Sequence, residues 1–183
     1  MTFGFNPRCV AGFTRAADAT QYAQKDGVMP AVAAPLLFDP SHGDTWSGKI
    51  MSARMVIAPA SGAPVTANCQ LSLYIFRPTT NIPFQNYPAD NAAMAFSAAA
   101  LKDLIGVFKF LPTSWDPVEG AAMYQAVGLD SRPYAPYNLD DIVVGGVARP
   151  KLNGVIRVEG SVGWNPGAVA QDIQVALDVE ANS

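Results

Sequence analysis

The run Asp172-Ile173-Gln174-Val175-Ala176-Leu177-Asp178-Val179-Glu180 sets Ile173, Val175, Leu177 and Val179 on one side, and Asp172, Gln174, Asp178 and Glu180 on the other. Side chains on an extended chain alternate faces every residue, so the spacing predicts a strand with one dry and one wet face. Residues 49–57 alternate more weakly, with Met51, Ala53, Met55 and Ile57 expected on the dry side against Ser52 and Arg54. Residues 69–76 carry Leu71, Leu73 and Ile75 on one face and Tyr74 and Phe76 on the other, which predicts a strand covered on both sides. Residues 104–111 form a further strand closed by Pro112. Beyond Asn153-Gly154, read as a tight hairpin turn, Ile156, Val158, Val162 and Trp164 alternate with Arg157, Glu159, Ser161 and Gly163.

Between these runs the chain is punctuated by turn residues. Ile142-Val143-Val144 meets Gly145-Gly146, where a bulge or sharp bend is expected. Residues 92–101 are alanine-rich and fit a short helix or another strand. The tally is roughly eight to nine strands, which predicts an all-β, antiparallel two-sheet β-sandwich of jelly-roll-like form.

Residues 1–47 lack a core-forming period, and Pro30 and Pro35 restrict residues 28–38 to an edge strand at most. The expected organisation is an extended N-terminal arm and edge segment over residues 1–47, followed by one β-sandwich domain over residues 48–183. An arm of that kind is expected to pack on a neighbouring subunit.

Composition narrows the function. Among 183 residues half are hydrophobic and 15% charged, against about 25% charged in an average globular protein. Either part of the surface is hidden against neighbours, or Ala, Ser, Thr, Gln and Asn cover the exterior. A net charge of −3, with twelve Lys and Arg scattered singly, argues against nucleic acid as a partner. The first residues lack the charged start and apolar stretch of a secretory signal, and every apolar run is interrupted too soon for a membrane helix. No membrane partner is expected, and synthesis and folding are expected in cytoplasm. Cys9 and Cys69 could close a loop of roughly 60 residues, but two thiols in a reducing compartment are the preferred reading.

The catalytic inventory is thin. His42, the single histidine, lies between Asp39 and Asp44 in a turn-rich loop, where ordinary turn chemistry competes with metal binding or base catalysis. No Gly-x-Ser-x-Gly run accompanies it. Glu119, Asp130, Asp140, Asp141 and Glu159 could supply paired carboxyl groups for glycoside hydrolysis, but they fall in turns or on an outward strand position and read as solvated acids. No catalytic residue, cofactor or metal is therefore expected, and the chain reads as no enzyme. The remaining candidates are loop aromatics, Trp46, Tyr87, Trp115, Tyr134 and Tyr137. Flat rings flanked by Pro and Asp either centre a contact surface or cap the ends of a sandwich core.

Three runs carry a resemblance. They are Ala17-Asp18-Ala19-Thr20-Gln21-Tyr22-Ala23-Gln24-Lys25-Asp26-Gly27-Val28, then residues 48–55 with 65–74, and Gly160-Ser161-Val162-Gly163-Trp164-Asn165-Pro166 before the final strand. Together they resemble small jelly-roll-like virion structural proteins of tailed bacteriophages, the capsid decoration or cement proteins. The resemblance implies a non-enzymatic module on the capsid surface, bound to the major capsid protein or another virion protein and assembled in the host cytoplasm. It also implies a homo-oligomer, with a trimer possible. The alternative is a carbohydrate-binding head-fibre or tail-appendage module using the loop aromatics.

Overall fold

The computed structural model describes residues 9–41, 46–59, 69–78, 88–118, 123–130, 135–140, 143–144, 147–148 and 151–181. Thirteen strands, one short helix and one 3-10 turn are the regular elements among the described residues. The strands are β1 (Val10–Arg15), β2 (Gly27–Val28), β3 (Leu36–Phe38), β4 (Ser47–Pro59), β5 (Leu71–Phe76), β6 (Leu104–Phe110), β7 (Asp116–Val118), β8 (Met123–Asp130), β9 (Ala135–Asn138), β10 (Val143–Val144), β11 (Val147–Ala148), β12 (Leu152–Val158) and β13 (Gln171–Ala181). The helix α1 covers Ala98–Lys102.

The fold is an all-β antiparallel sandwich. Eleven strands form one ladder in the order β1-β13-β4-β8-β6-β5-β12-β2, with β3 also on β12, β7 on β8 and β9 on β4. The ladder turns a corner at β8, whose residues 124–128 pair with β4 and whose Leu129 and Asp130 pair with β6. A strand that changes sheet in this way gives two leaves without breaking the hydrogen-bonded path. β10 and β11 make a separate small hairpin.

The two leaves close on one core. Ala53, Met55 and Ile57 of β4 and Ile173, Val175 and Leu177 of β13 meet Leu71, Leu73 and Ile75 of β5, Phe108 and Phe110 of β6, and Ile156 and Val158 of β12. The alternation read from β13 and β5 thus faces the core as expected, with Val179 partly buried beside it. All six residues of β5 are buried. Its second face meets another apolar cluster, in which Tyr74, Phe76 and Val155 lie under Met29, Met94 and Ala100. The alanine-rich stretch resolves as α1, whose first turn is closed by the Ser97 hydroxyl accepting from the Ala100 N–H at 3.0 Å.

Four expectations are corrected, each for a physical reason. Met51 is 42% exposed and Ile50 is buried, because the β4–β13 register slips between Asp178 and Val179 so that Ser52 pairs with Asp178 but Ile50 with Val179. Met51 is the extra residue of a bulge, and one added residue reverses every face that follows. Asn153-Gly154 is no turn but the middle of β12, paired to β5 on one side and β3 on the other. A glycine is required there by crowding, since a Cβ would come within 2.6 Å of Phe38. Val162 is 84% exposed, because β12 ends at Val158 and Gly163 turns the chain at φ +72°.

The fourth correction concerns the boundary after residue 47. The described part of the N-terminal segment is built into both sheets: β1 pairs with β13, and β2 and β3 pair with β12. Cys9, Arg15, Tyr22, Val28, Met29 and Phe38 are buried. β2 and β3, of two and three residues, are too short to display a period, which is why residues 27–38 look unpatterned.

Leu177→Ala is expected to lower stability by about 2–5 kcal/mol in denaturant unfolding, as a large-to-small change in a closed core does. Met51→Ser, at the exposed bulge position, is expected to stay within about 0.5 kcal/mol of wild type. Equal losses for the two would remove the bulge from the register.

Candidate functional site

Of the candidate aromatics, Trp115 and Tyr137 cap the core. Trp115 is buried, stacks on Phe110 with centroids 6.0 Å apart, and donates its indole N–H to the Cys69 carbonyl at 2.9 Å. Tyr137 lies in β9 with its ring in the main core and its hydroxyl donating to the Pro40 carbonyl at 3.2 Å. Burial, with nearby Cys9 and Asp140, pushes its phenol pKa up. Trp46 is half-buried against the same core, and its backbone N–H donates to Asp140 at 3.1 Å. Tyr87 and Tyr134 lie outside the described residues, as do His42, Asp44, Glu119 and Asp141. Of the two alternatives for loop aromatics, capping is the one that Trp115 and Tyr137 adopt. The reason is that their polar tips find buried carbonyls while their rings fill the ends of the sandwich.

Glu159 is engaged rather than solvated. It accepts from the Tyr74 hydroxyl at 2.5 Å and from Arg157 Nε at 2.6 Å, while Arg157 Nη2 donates to the Tyr74 oxygen at 2.7 Å. The guanidinium also lies 4.6 Å from the Phe96 ring centroid and 4.7 Å from that of Tyr74. This network closes the outer cover of β5. Among the described residues no group of three or more His, Cys, Asp or Glu is placed to hold a metal ion, and no helix is long and apolar enough to cross a membrane.

The most organised polar site is one that no candidate residue marked. Arg15 ends β1 on its inward face and is fully buried. Its Nε donates to the Tyr22 hydroxyl at 2.6 Å and stands 3.7 Å from an Asp90 carboxylate oxygen, and its Nη2 donates to the Asp18 carbonyl. Tyr22 in turn donates to Asp90 at 2.7 Å, and Asp90 also accepts from the Met29 N–H at 2.9 Å. Burial raises the Tyr22 pKa, and the Asp90 hydrogen bond adds to it. The guanidinium lies 5.2 Å from the Tyr22 centroid and 5.9 Å from that of Trp164.

Local sequence builds this site. Asp18 accepts from both the N–H and the hydroxyl of Thr20, an Asx-type turn that holds its carboxyl below the usual range. The turn delivers Tyr22 to Trp164, with which it exchanges backbone bonds of 2.8 and 3.0 Å and stacks at 5.2 Å. Gly163 permits the approach, since a Cβ there would stand 2.2 Å from the Tyr22 carbonyl oxygen. The signal available beforehand was the period of two through Cys9, Ala11, Phe13 and Arg15, which sets the arginine on the dry side of β1.

Cys9 and Cys69 are both free and buried, as the preferred reading had it. Burial raises each thiol to about 12, the charge of Asp39 adding to the effect at Cys9.

Together these features define a two-sheet sandwich whose edge strands are fastened by a buried arginine network. No protein-family model matches the chain, and no curated protein is similar to it. Among solved structures, the chain is similar to a chain in "Structure of black queen cell virus", at 14% identity and a TM-score of 0.33, over 100% of this chain and 73% of that one. A superposition that loose adds nothing to the fold, which rests on the strand pairing itself.

Asp90→Ala is expected to cost about 3 kcal/mol, because it strips the carboxylate from a buried guanidinium. A second expectation concerns alkali. The folded thiols hold their protons up to about pH 12, whereas unfolded ones release theirs near 9.0. Stability is therefore complete below about pH 9 and falls as pH rises toward 12, by up to about 1.4 kcal/mol per unit for each thiol. Denaturant midpoints across that range should fall less steeply for a Cys9→Ala/Cys69→Ala double variant.

Proposed function

We propose that the protein is a non-enzymatic virion structural protein, a capsid decoration or cement subunit that binds the phage head through the major capsid protein and self-associates. One observation carries the reading. Two of the runs that resemble phage decoration proteins, residues 17–28 and 160–166, lie more than a hundred positions apart yet form one unit through Tyr22, Trp164 and Gly163. Short matches to common turn residues have no reason to converge. Matches that share a packing unit are what inheritance of a fold would leave.

The sandwich suits the role physically. Its thiols are buried and inert, and its low charge leaves apolar contact as the main source of attachment energy. Repetition by symmetry lets modest contacts of about 800 Å² per partner hold a shell.

The deciding measurement is copy number on purified particles from the genome that encodes the chain. Hundreds of copies over the head support decoration. A few copies at one vertex or on the tail support the carbohydrate-binding appendage, and absence from particles removes both. Attachment is expected to survive about 0.5 M salt, which screens exposed ion pairs but leaves apolar burial intact. Trp115→Ala and Tyr137→Ala are expected to act through stability, with Trp115→Ala costing about 3–5 kcal/mol.

A further inference from the structure

The two ends of the ladder are protected differently. The β2 end is covered by the segment around Ala92: the Gly27 N–H donates to the Ala92 carbonyl at 2.9 Å, and the Gly27 and Lys25 carbonyls accept from the Asn91 and Met94 N–H groups at 3.1 and 2.8 Å. A covering loop, a short strand, lysines and prolines are the usual guards of an edge. β1, at the other end, has none of them. It runs six residues, Val10–Arg15, and carries no charge from Val10 to Thr14.

Its open hydrogen-bonding groups can be assigned. The Leu177 N–H donates to the Cys9 carbonyl at 2.9 Å, so Cys9 and, by alternation along the register, Ala11, Phe13 and Arg15 turn their backbone toward β13. Val10, Gly12 and Thr14 therefore point N–H and C=O away from the sheet. All three residues are exposed, and among the described residues no backbone bond reaches them. Val10, Gly12, Thr14, Asp172 and Gln174 line an open groove along this edge.

We propose that β1 is a homotypic docking edge, which pairs antiparallel with β1 of a second copy about a two-fold axis through Gly12. In that register Gly12 faces Gly12 of the copy and Val10 faces Thr14, and each facing pair exchanges two bonds. About six hydrogen bonds form, and the outward groups of both strands are used. The inward row matches too. Ala11 and Phe13, only partly buried at the rim of the core, face Phe13 and Ala11 of the copy in the closer, non-hydrogen-bonded spacing, small against large.

Charge permits the arrangement. The nearest carboxylate, Asp172, is bound by the Thr14 hydroxyl at 2.6 Å, and its row continues into Val10 and Ala176 of the copy. The two Asp172 groups are thus offset by about four residues, roughly 14 Å along the strand. A second copy meets every one of these conditions by symmetry. The inference stands apart from the virion reading, since association in solution and copy number on particles are separate measurements.

Sedimentation velocity on the full chain over a wide concentration range is the test, paired with amide hydrogen exchange resolved at Val10, Gly12 and Thr14. Concentration-dependent dimers are expected, with those three amides protected in the dimer. Val10→Pro removes one outward donor at the first strand position, where proline is tolerated, and is expected to weaken dimerisation roughly tenfold or more. Val10→Lys keeps the donor and adds a guard charge; it is expected to act in the same direction with an unchanged melting temperature, which separates docking from folding. A wild-type chain that stays monomeric overturns the proposal, as does a dimer that persists in both variants with the Gly12 amide exchanging freely. Protection of these amides only by added major capsid protein assigns the edge to that partner and likewise overturns homotypic pairing.

Discussion

The rest of the structure follows from β5 being dry on both faces. Leu71, Leu73 and Ile75 turn inward to the sandwich core, while Tyr74 and Phe76 turn outward and are also buried. One opposing sheet covers one face, so a second cover must come from elsewhere in the chain. It comes from two distant places: the N-terminal segment brings Met29, and the excursion around α1 brings Met94, Phe96 and Ala100. Neither piece is long enough to hold its position by strand pairing alone. Backbone bonds join the two pieces to each other, Gly27 to Ala92 and Met94 to Lys25, and polar fastenings add to them, Arg157 donating to the Met94 carbonyl at 3.3 Å and Asp90 accepting from the Met29 N–H.

Arg15 explains why those fastenings meet where they do. A guanidinium taken wholly out of water costs several kcal/mol, and only close, well-directed partners offset it. Asp90 supplies one from far along the chain and Asp18 and Tyr22 supply the others from the stretch that follows β1, and the rings of Tyr22 and Trp164 flank the charge. An apolar residue at position 15 would tolerate several packings, whereas the arginine meets Asp90, Tyr22 and Asp18 only when β1, the turn at Asp18 and the loop at Asp90 are all in place, and even then its Nη1 is buried without a hydrogen bond. Register of the N-terminal segment is thereby tied to the cover over β5. The cost in desolvation is offset by partners that also position the chain.

Periodicity disclosed the long strands and concealed the short ones. β13 and β5 were legible because each presents three or more apolar residues on one face, and a period needs that many repeats to stand out. β2 and β3 have two and three residues, so their membership in the sheets is carried by backbone pairing to β12, which leaves no mark on side-chain pattern. Asn153-Gly154 misled for the opposite reason, because a pair that favours turns sits within β12, where Gly154 leaves room for the Phe38 ring. At Met51 the pattern was real but out of phase, since a bulge is a backbone event with no side-chain signature. The arginine network was half visible: Tyr22 and Trp164 stood in the quoted runs, but Asp90 lies far along the chain, and partners at such distance are fixed only by the fold.

The low charge of the chain acquires a physical reading from the outer face of the β1–β13–β4 leaf. Asp172 and Asp178, two acids on β13 that pattern alone would assign to water, are each bound by a hydroxyl of the adjacent strand, Thr14 and Ser52. An acid already hydrogen-bonded within the sheet gives up less hydration when a neighbour covers it than a free one does. Gly12 and Ala176 beside them keep the surface low. The patch around Gly12 and Ala176, with Asp172 and Asp178 bound within the sheet, can be covered at less desolvation cost than the stretch of the same face that carries Arg54 and exposed Glu180.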